Sequence, residues 1–197
     1  MLQGANKKKA ALALLALSSI AAIVAFWLTQ SSPTRNFSQS NLPPGTLEKL
    51  QWHATPKKVV PVSFKNHKNQ EISLTDFLGT PILLNFWATW CAPCIAEMPA
   101  LDQLQSSFSA QTFAVIALSL DRGGLEDIDP FWEEAQISAL EKYFSASMSV
   151  TQALGVRGIP TTLLIDKNGR ELARLEGPAD WGNPETIKYL RTIILPD

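Results

Sequence analysis

Cys91 and Cys94, in Trp90-Cys91-Ala92-Pro93-Cys94, are the two cysteines of a 197-residue chain. A thiol pair at this spacing can ligate a metal, close a small disulfide, or exchange disulfides with another molecule. Zinc needs two further Cys or His ligands, and the chain offers only His53 and His67, which stand apart and read as exposed or turn residues. A structural disulfide across two intervening residues closes too short a loop to restrain much unfolded-chain entropy. Exchange fits the motif's position, between the apolar run Ile82 to Ala88 and a stretch beginning at Pro93 with Met98, Leu101, Leu104 and Phe108 at helical spacing. At a helix N-terminus, unpaired amides and the helix dipole stabilise a thiolate on Cys91, making it the partly exposed nucleophile. Cys94, one turn on, is placed to resolve the mixed disulfide. Pro93 falls in the first turn, where its missing donor is harmless. Trp90 reads as a cover over the same face.

The elements that must position this pair follow from the apolar pattern. Val59 to Phe64 and Glu71 to Leu74 read as strands around the turn Asn66-His67-Lys68-Asn69. Ile82 to Ala88 and Thr112 to Leu120 are continuous apolar runs of the kind buried on both faces. Asp127 to Ile137 reads as a helix, with Trp132, Glu133 and Glu134 forming an amphipathic face. Lys142 to Ser145 reads as a short strand and Val150 to Leu154 as a helical turn. Thr161 to Ile165 and Glu171 to Leu175 flank Lys167-Asn168-Gly169, a hairpin signal, and Asn183-Pro184 starts a last helix. Phe86, Trp87 and Phe113 are core candidates, and Asp121-Arg122-Gly123-Gly124, which follows a strand end, is read as a solvated loop in preference to a partner contact. Strands alternating with helices and closed by an antiparallel hairpin predict an α/β fold, a mixed sheet flanked by helices.

Composition narrows the function classes. With 17 basic and 18 acidic residues, nothing suggests a surface making many phosphate contacts, and two cysteines exclude a disulfide-dense scaffold or an iron–sulfur framework. Lys7-Lys8-Lys9 precede an uncharged run from Ala10 to Leu28, close to the ~20 residues that cross a bilayer. The expected organisation is a cytoplasmic terminus over 1–9, a transmembrane anchor over 10–28, a linker over 29–46 and one domain over 47–197. The lysines place the terminus inside and the domain in the periplasm of a bacterial inner-membrane protein. A cleavable signal peptide competes with this reading, but the run continues through Phe26 and Trp27, beyond the usual ~7–15-residue apolar region.

Asn85-Phe86-Trp87-Ala88-Thr89-Trp90-Cys91-Ala92-Pro93-Cys94 and Gly158-Ile159-Pro160-Thr161 resemble the active-site strand and the cis-proline loop of the thioredoxin superfamily. The leading hairpin, Glu97-Met98-Pro99-Ala100-Leu101, the long segment between Asp121 and Gly155, and Gly177-Pro178-Ala179-Asp180-Trp181 resemble the membrane-tethered TlpA/ResA/CcmG group. The resemblance implies a thioredoxin-like sheet with an N-terminal hairpin and a strand–helix insert. It also implies protein-disulfide reduction by Cys91 and Cys94 without a cofactor beyond their own disulfide. In that group a glutamate at the place of Glu97 handles the Cys94 proton, whereas the buried aspartate of thioredoxin is replaced here by Asn85. The alternative is a solvated Glu97 interacting with the helix dipole. The resemblance makes the Ile159–Pro160 bond cis and sets the Ile159 backbone beside the motif to receive a substrate strand, with Trp90 and Pro93 completing the substrate face.

It further implies specific protein clients and a membrane electron donor of the DsbD/CcdA type. The clients would be a Sco-type copper chaperone and the copper-binding subunit of cytochrome oxidase, or else apocytochrome c before haem attachment. Thr161 stands where CcmG reductants typically carry glutamate, which weighs against the apocytochrome client. A copper metallochaperone on the same fold would need a distant histidine, and none follows His67. A peroxiredoxin would need Thr/Ser-x-x-Cys in place of Trp90-Cys91.

Overall fold

The computed structural model describes residues 46–194. The expected cytoplasmic terminus, anchor and nearly all of the linker lie outside the described residues. Eight strands among them form one mixed sheet: β1 (Gln51–Lys58), β2 (Ser63–Asn66), β3 (Glu71–Ser73), β4 (Ile82–Trp87), β5 (Ala114–Ser119), β6 (Tyr143–Phe144), β7 (Thr161–Ile165) and β8 (Arg170–Glu176). Their spatial order is β1-β8-β7-β4-β5-β6-β2-β3. The four α-helices among the described residues are α1 (Ala92–Ser106), α2 (Leu125–Glu134), α3 (Ser149–Ala153) and α4 (Pro184–Ile194).

The two central strands are buried along their whole length because both sheet faces are covered. Side chains alternate across the pleat. Leu83 and Trp87 of β4 and Val115 and Ala117 of β5 therefore join Met98, Leu101 and Leu104 of α1 in one core. Leu84, Phe86, Ile116 and Leu118 face the other way, onto Val150 of α3 and Leu154 at its end. The same parity decides where Asn85 points. It shares the face of Leu83 and Trp87, under α1, and its register partner on β7 is Thr162. A polar pair thus sits in the layer between the sheet and the helix that carries the cysteines.

Three points depart from the expected pattern. The stretch from Val59 to Phe64 does not start as a strand: residues 59–62 cross from β1 at one edge of the sheet toward the other side, and β2 begins only at Ser63. Preceding it is a strand that apolar alternation does not reveal, β1, which pairs antiparallel with β8 at the sheet edge. Most of its residues are exposed and it contains Pro56 within a register shift, as an edge strand tolerates. The third correction concerns His53, which is neither exposed nor in a turn. It lies on β1 with Nε2 2.7 Å from a carboxylate oxygen of Glu171. His67 does lie in the β2–β3 turn, next to Glu141.

Candidate active site

The motif occupies the junction where β4 ends and α1 begins. Cys91 is the N-cap residue of α1, with extended backbone, and Ile95 N–H donates to its carbonyl at 3.0 Å. No acidic side chain occupies the first turn of the helix, so the partial positive charge there is left to the sulfur of Cys91. Pro93 lies in that turn. Cys91 and Cys94 are joined as a disulfide. They differ in access: Cys91 is 7% exposed and Cys94 fully buried. Cys91 is more enclosed than its position at the helix tip suggests, and the exposed group beside it is Trp90, at 71%.

Glu97, one turn beyond Cys94, points into the protein and is only 4% exposed. The solvated first-turn alternative does not describe it. One carboxylate oxygen accepts from Asn85 Nδ2 at 2.8 Å and the other from the Ala179 N–H at 2.9 Å. Burial pushes the carboxyl above the usual carboxylate range, against the pull of Ala179, Asn85 and the indole of Trp181. That indole is buried, and its N–H makes no hydrogen bond of good geometry. Asn85 Nδ2 also donates to Thr162 Oγ1 at 2.9 Å, and Asn85 Oδ1 is left with no partner. An amide that turns both donors toward Glu97 and Thr162 suits the ionised carboxylate. The flipped amide, with Oδ1 toward Glu97, would suit the protonated acid.

The Ile159–Pro160 peptide is cis, and the Gly177 N–H donates to the Pro160 carbonyl at 2.8 Å. Gly177 has φ +99°, a conformation that disfavours a side chain. It starts the segment whose Ala179 amide reaches Glu97. The proline loop, the Gly177 segment and the motif helix are therefore linked by hydrogen bonds. Thr161, after the proline, donates its hydroxyl to the Gly158 carbonyl at 2.7 Å.

A second buried carboxylate supports the other side of the motif and corrects the reading of its loop as solvated. Asp121, at the start of the loop read as solvated, is buried. Its Oδ1 accepts from Thr89 Oγ1 at 2.8 Å, and its Oδ2 accepts from the Thr89 N–H at 3.0 Å and from Ser119 Oγ at 2.7 Å. It fastens the backbone two residues before Cys91 to the end of β5. The available signal was its position: an acid that follows a fully buried strand must find donors or leave the core. Arg122 and Gly123 of that loop are exposed, and Gly124 is buried.

The geometry is matched by kinship. The redoxin family model matches residues 54–190. A thiol-disulfide oxidoreductase ResA of Geobacillus thermodenitrificans is 35% identical over 103 residues, covering 52% of this chain and 58% of that protein. A ResA of Bacillus thuringiensis subsp. konkukian is 31% identical over 129 residues, covering 64% and 70%. A Chlorobium tepidum structure described as a thiol:disulfide interchange protein DsbE superposes with a TM-score of 0.58 at 30% identity, over 71% of this chain and 94% of that one. The thioredoxin domain of a Bacteroides vulgatus thiol-disulfide oxidoreductase shares the fold, with a TM-score of 0.60 at 22% identity. The chain, with its cysteine pair at the head of α1, belongs to the redoxin family, among the thiol-disulfide oxidoreductases of the TlpA/ResA/CcmG type.

Proposed function

We propose that this oxidoreductase is a membrane-anchored reductant in the periplasm that opens disulfides in copper-site proteins of cytochrome oxidase assembly. The observation that carries the reducing chemistry is the buried Glu97 carboxyl, one turn from Cys94 and held by neutral donors alone. In the reduced protein the Cys91 thiolate attacks a client sulfur, the client disulfide breaks, and the departing client thiolate takes a proton from solvent. Cys94 then gives its proton to Glu97 and attacks Cys91 Sγ. The Cys91–Cys94 bond forms and the second client thiolate leaves. Two electrons pass to the client, and a membrane dithiol carrier of the DsbD/CcdA type returns them. Support for the client class comes from the Gly177–Trp181 segment, the TlpA-like feature, which supplies the Ala179 amide to Glu97 and buries Trp181.

Trapping tests the chemistry. Cys94→Ser should accumulate a mixed disulfide with an oxidised Sco-type domain or oxidase copper-subunit domain, and Cys91→Ser should not; the opposite pattern reverses the roles. A reduction potential of roughly −270 to −200 mV fits a reductant, and one near −120 mV would remove that reading. In cells, deletion should lower cytochrome oxidase activity and spare c-type haem attachment. Loss of all c-type cytochromes would point to apocytochrome c instead.

A further inference from the structure

Two of the four large apolar side chains most exposed among the described residues, Trp90 at 71% and Met148 at 57%, line the same groove. The groove has a volume of about 760 Å³, in the range of clefts that hold a ligand. Val156 and Ile159 continue its apolar floor up to the cis-proline loop, and Met148 lies in the segment that lengthens the chain between β6 and β7. Arg122 and Arg157 line it as well, both exposed. Neither arginine side chain makes an ion pair or hydrogen bond among the described residues. The acids of the groove are engaged: Asp121 holds Thr89 and Ser119, and Asp127 Oδ2 accepts from the Gly123 N–H at 2.8 Å.

A half-buried apolar floor between exposed Trp90 and Met148, next in sequence to the nucleophile and with two unpaired cations along it, is complementary to one kind of partner. We propose that this groove selects the client, taking an extended segment in which an apolar residue near the disulfide is flanked by acidic ones. The apolar residue packs on Met148, Val156 and Trp90, and the acids pair with Arg122 and Arg157. The proposal rests on the reductase reading above and adds its specificity.

The test uses the full chain, reduced, and two disulfide peptides of identical length that differ only in carrying Glu or Lys beside a Leu. Second-order rate constants for reduction should favour the acidic peptide by about tenfold at low salt and converge at high salt. Within each protein the acidic-to-basic ratio is its own control. Arg122→Glu with Arg157→Glu should invert it, while Lys68→Glu, a charge reversal on the β2–β3 turn, should not. Met148→Ser should slow the Leu peptide more than a Ser counterpart. A ratio near one in the wild type, a ratio unmoved by the double reversal, or one moved equally by Lys68→Glu would overturn the proposal. Affinities of peptides with serine in place of cysteine separate the two readings. A binding preference without reduction would retire the reductase and keep the groove, whereas reduction of hydroxyethyl disulfide with no peptide preference would do the reverse.

Discussion

Glu97 and Glu171 are buried to the same degree, 4% and 5% exposed, yet their carboxyls shift in opposite directions. For Glu171, on β8, burial pushes upward but is outweighed. Arg174 donates from Nε at 2.6 Å and from a terminal nitrogen at 2.8 Å, His53 adds a contact at 2.7 Å, and the carboxyl is held below its usual range. Glu97 has only neutral donors, and burial wins. Burial alone therefore does not make a carboxylate a proton acceptor. A facing cation turns it into a fastener, here joining β1 to β8 and, through Arg174, to the carbonyls of Leu154 and Gly155. Without the cation burial raises the pKa, and that version is the one placed a single helical turn from Cys94.

The largest disruption of this contrast should come from Arg174→Met. It strands Glu171 in the interior with His53 as its remaining partner, and the expected loss is about 3 kcal/mol of unfolding free energy near neutral pH. Because the Glu171 pKa is lowered by folding, its stabilisation is present above the ordinary carboxylate value and lost as pH falls through the lowered one. Urea unfolding of wild type and variant should therefore converge in acid. Equal stability at neutral pH would mean that Arg174 is not what separates the two glutamates.

Asn85→Asp makes the converse change, restoring the thioredoxin residue while Glu97 is still present. Two carboxyls would then face each other where Asn85 Nδ2 now donates at 2.8 Å, and both cannot ionise at this separation. The expected cost is about 2 kcal/mol near pH 8, from the lost donors and the repulsion. It should shrink toward pH 5, where one shared proton bridges the pair. A cost that does not vary with pH would show that the two groups do not interact.

Much of this arrangement was legible in the residues. The motif's place between a buried strand and an amphipathic helix followed from Ile82 to Ala88 and from Met98, Leu101, Leu104 and Phe108, because full burial and helical spacing each leave a pattern. The role of Asn85 was half legible: its alternation with Leu83 puts it on one face, but only the register with Thr162 shows which donors and acceptors it meets. The position of Asp121 after a buried strand was a signal, but its partner Thr89 and the His53–Glu171 pairing left no comparable trace. The partners are separated by 32 and 118 residues, and a polar residue satisfied by distant partners looks in sequence like one satisfied by water. The edge strand β1 escaped for a related reason, since an exposed strand containing proline has neither alternation nor an apolar run.

Glu97→Gln is the mildest of the three changes in stability and the most informative about chemistry. The amide removes the charge and presents an N–H₂ to one of the two present donors. Asn85 can accommodate it by flipping, since its unpartnered Oδ1 would then accept from the glutamine and Thr162 would donate instead of accept. The fold should therefore persist, with unfolding free energy at pH 8 within about 1 kcal/mol of wild type, as a lost charge-assisted bond offsets relief from desolvation. The pH dependence has a definite sign. Folding raises the Glu97 pKa, so its contribution to stability is fully present below the ordinary value of 4.5 and is lost as pH rises through the raised one. Wild type should lose stability relative to the variant across that window. In single-turnover reduction of a client disulfide, the wild-type limb that reports proton transfer at Cys94 should vanish in the variant. Superimposable rate profiles from about pH 5 to 9 would leave Glu97 a packing residue, and its difference from Glu171 would then be one of stability alone.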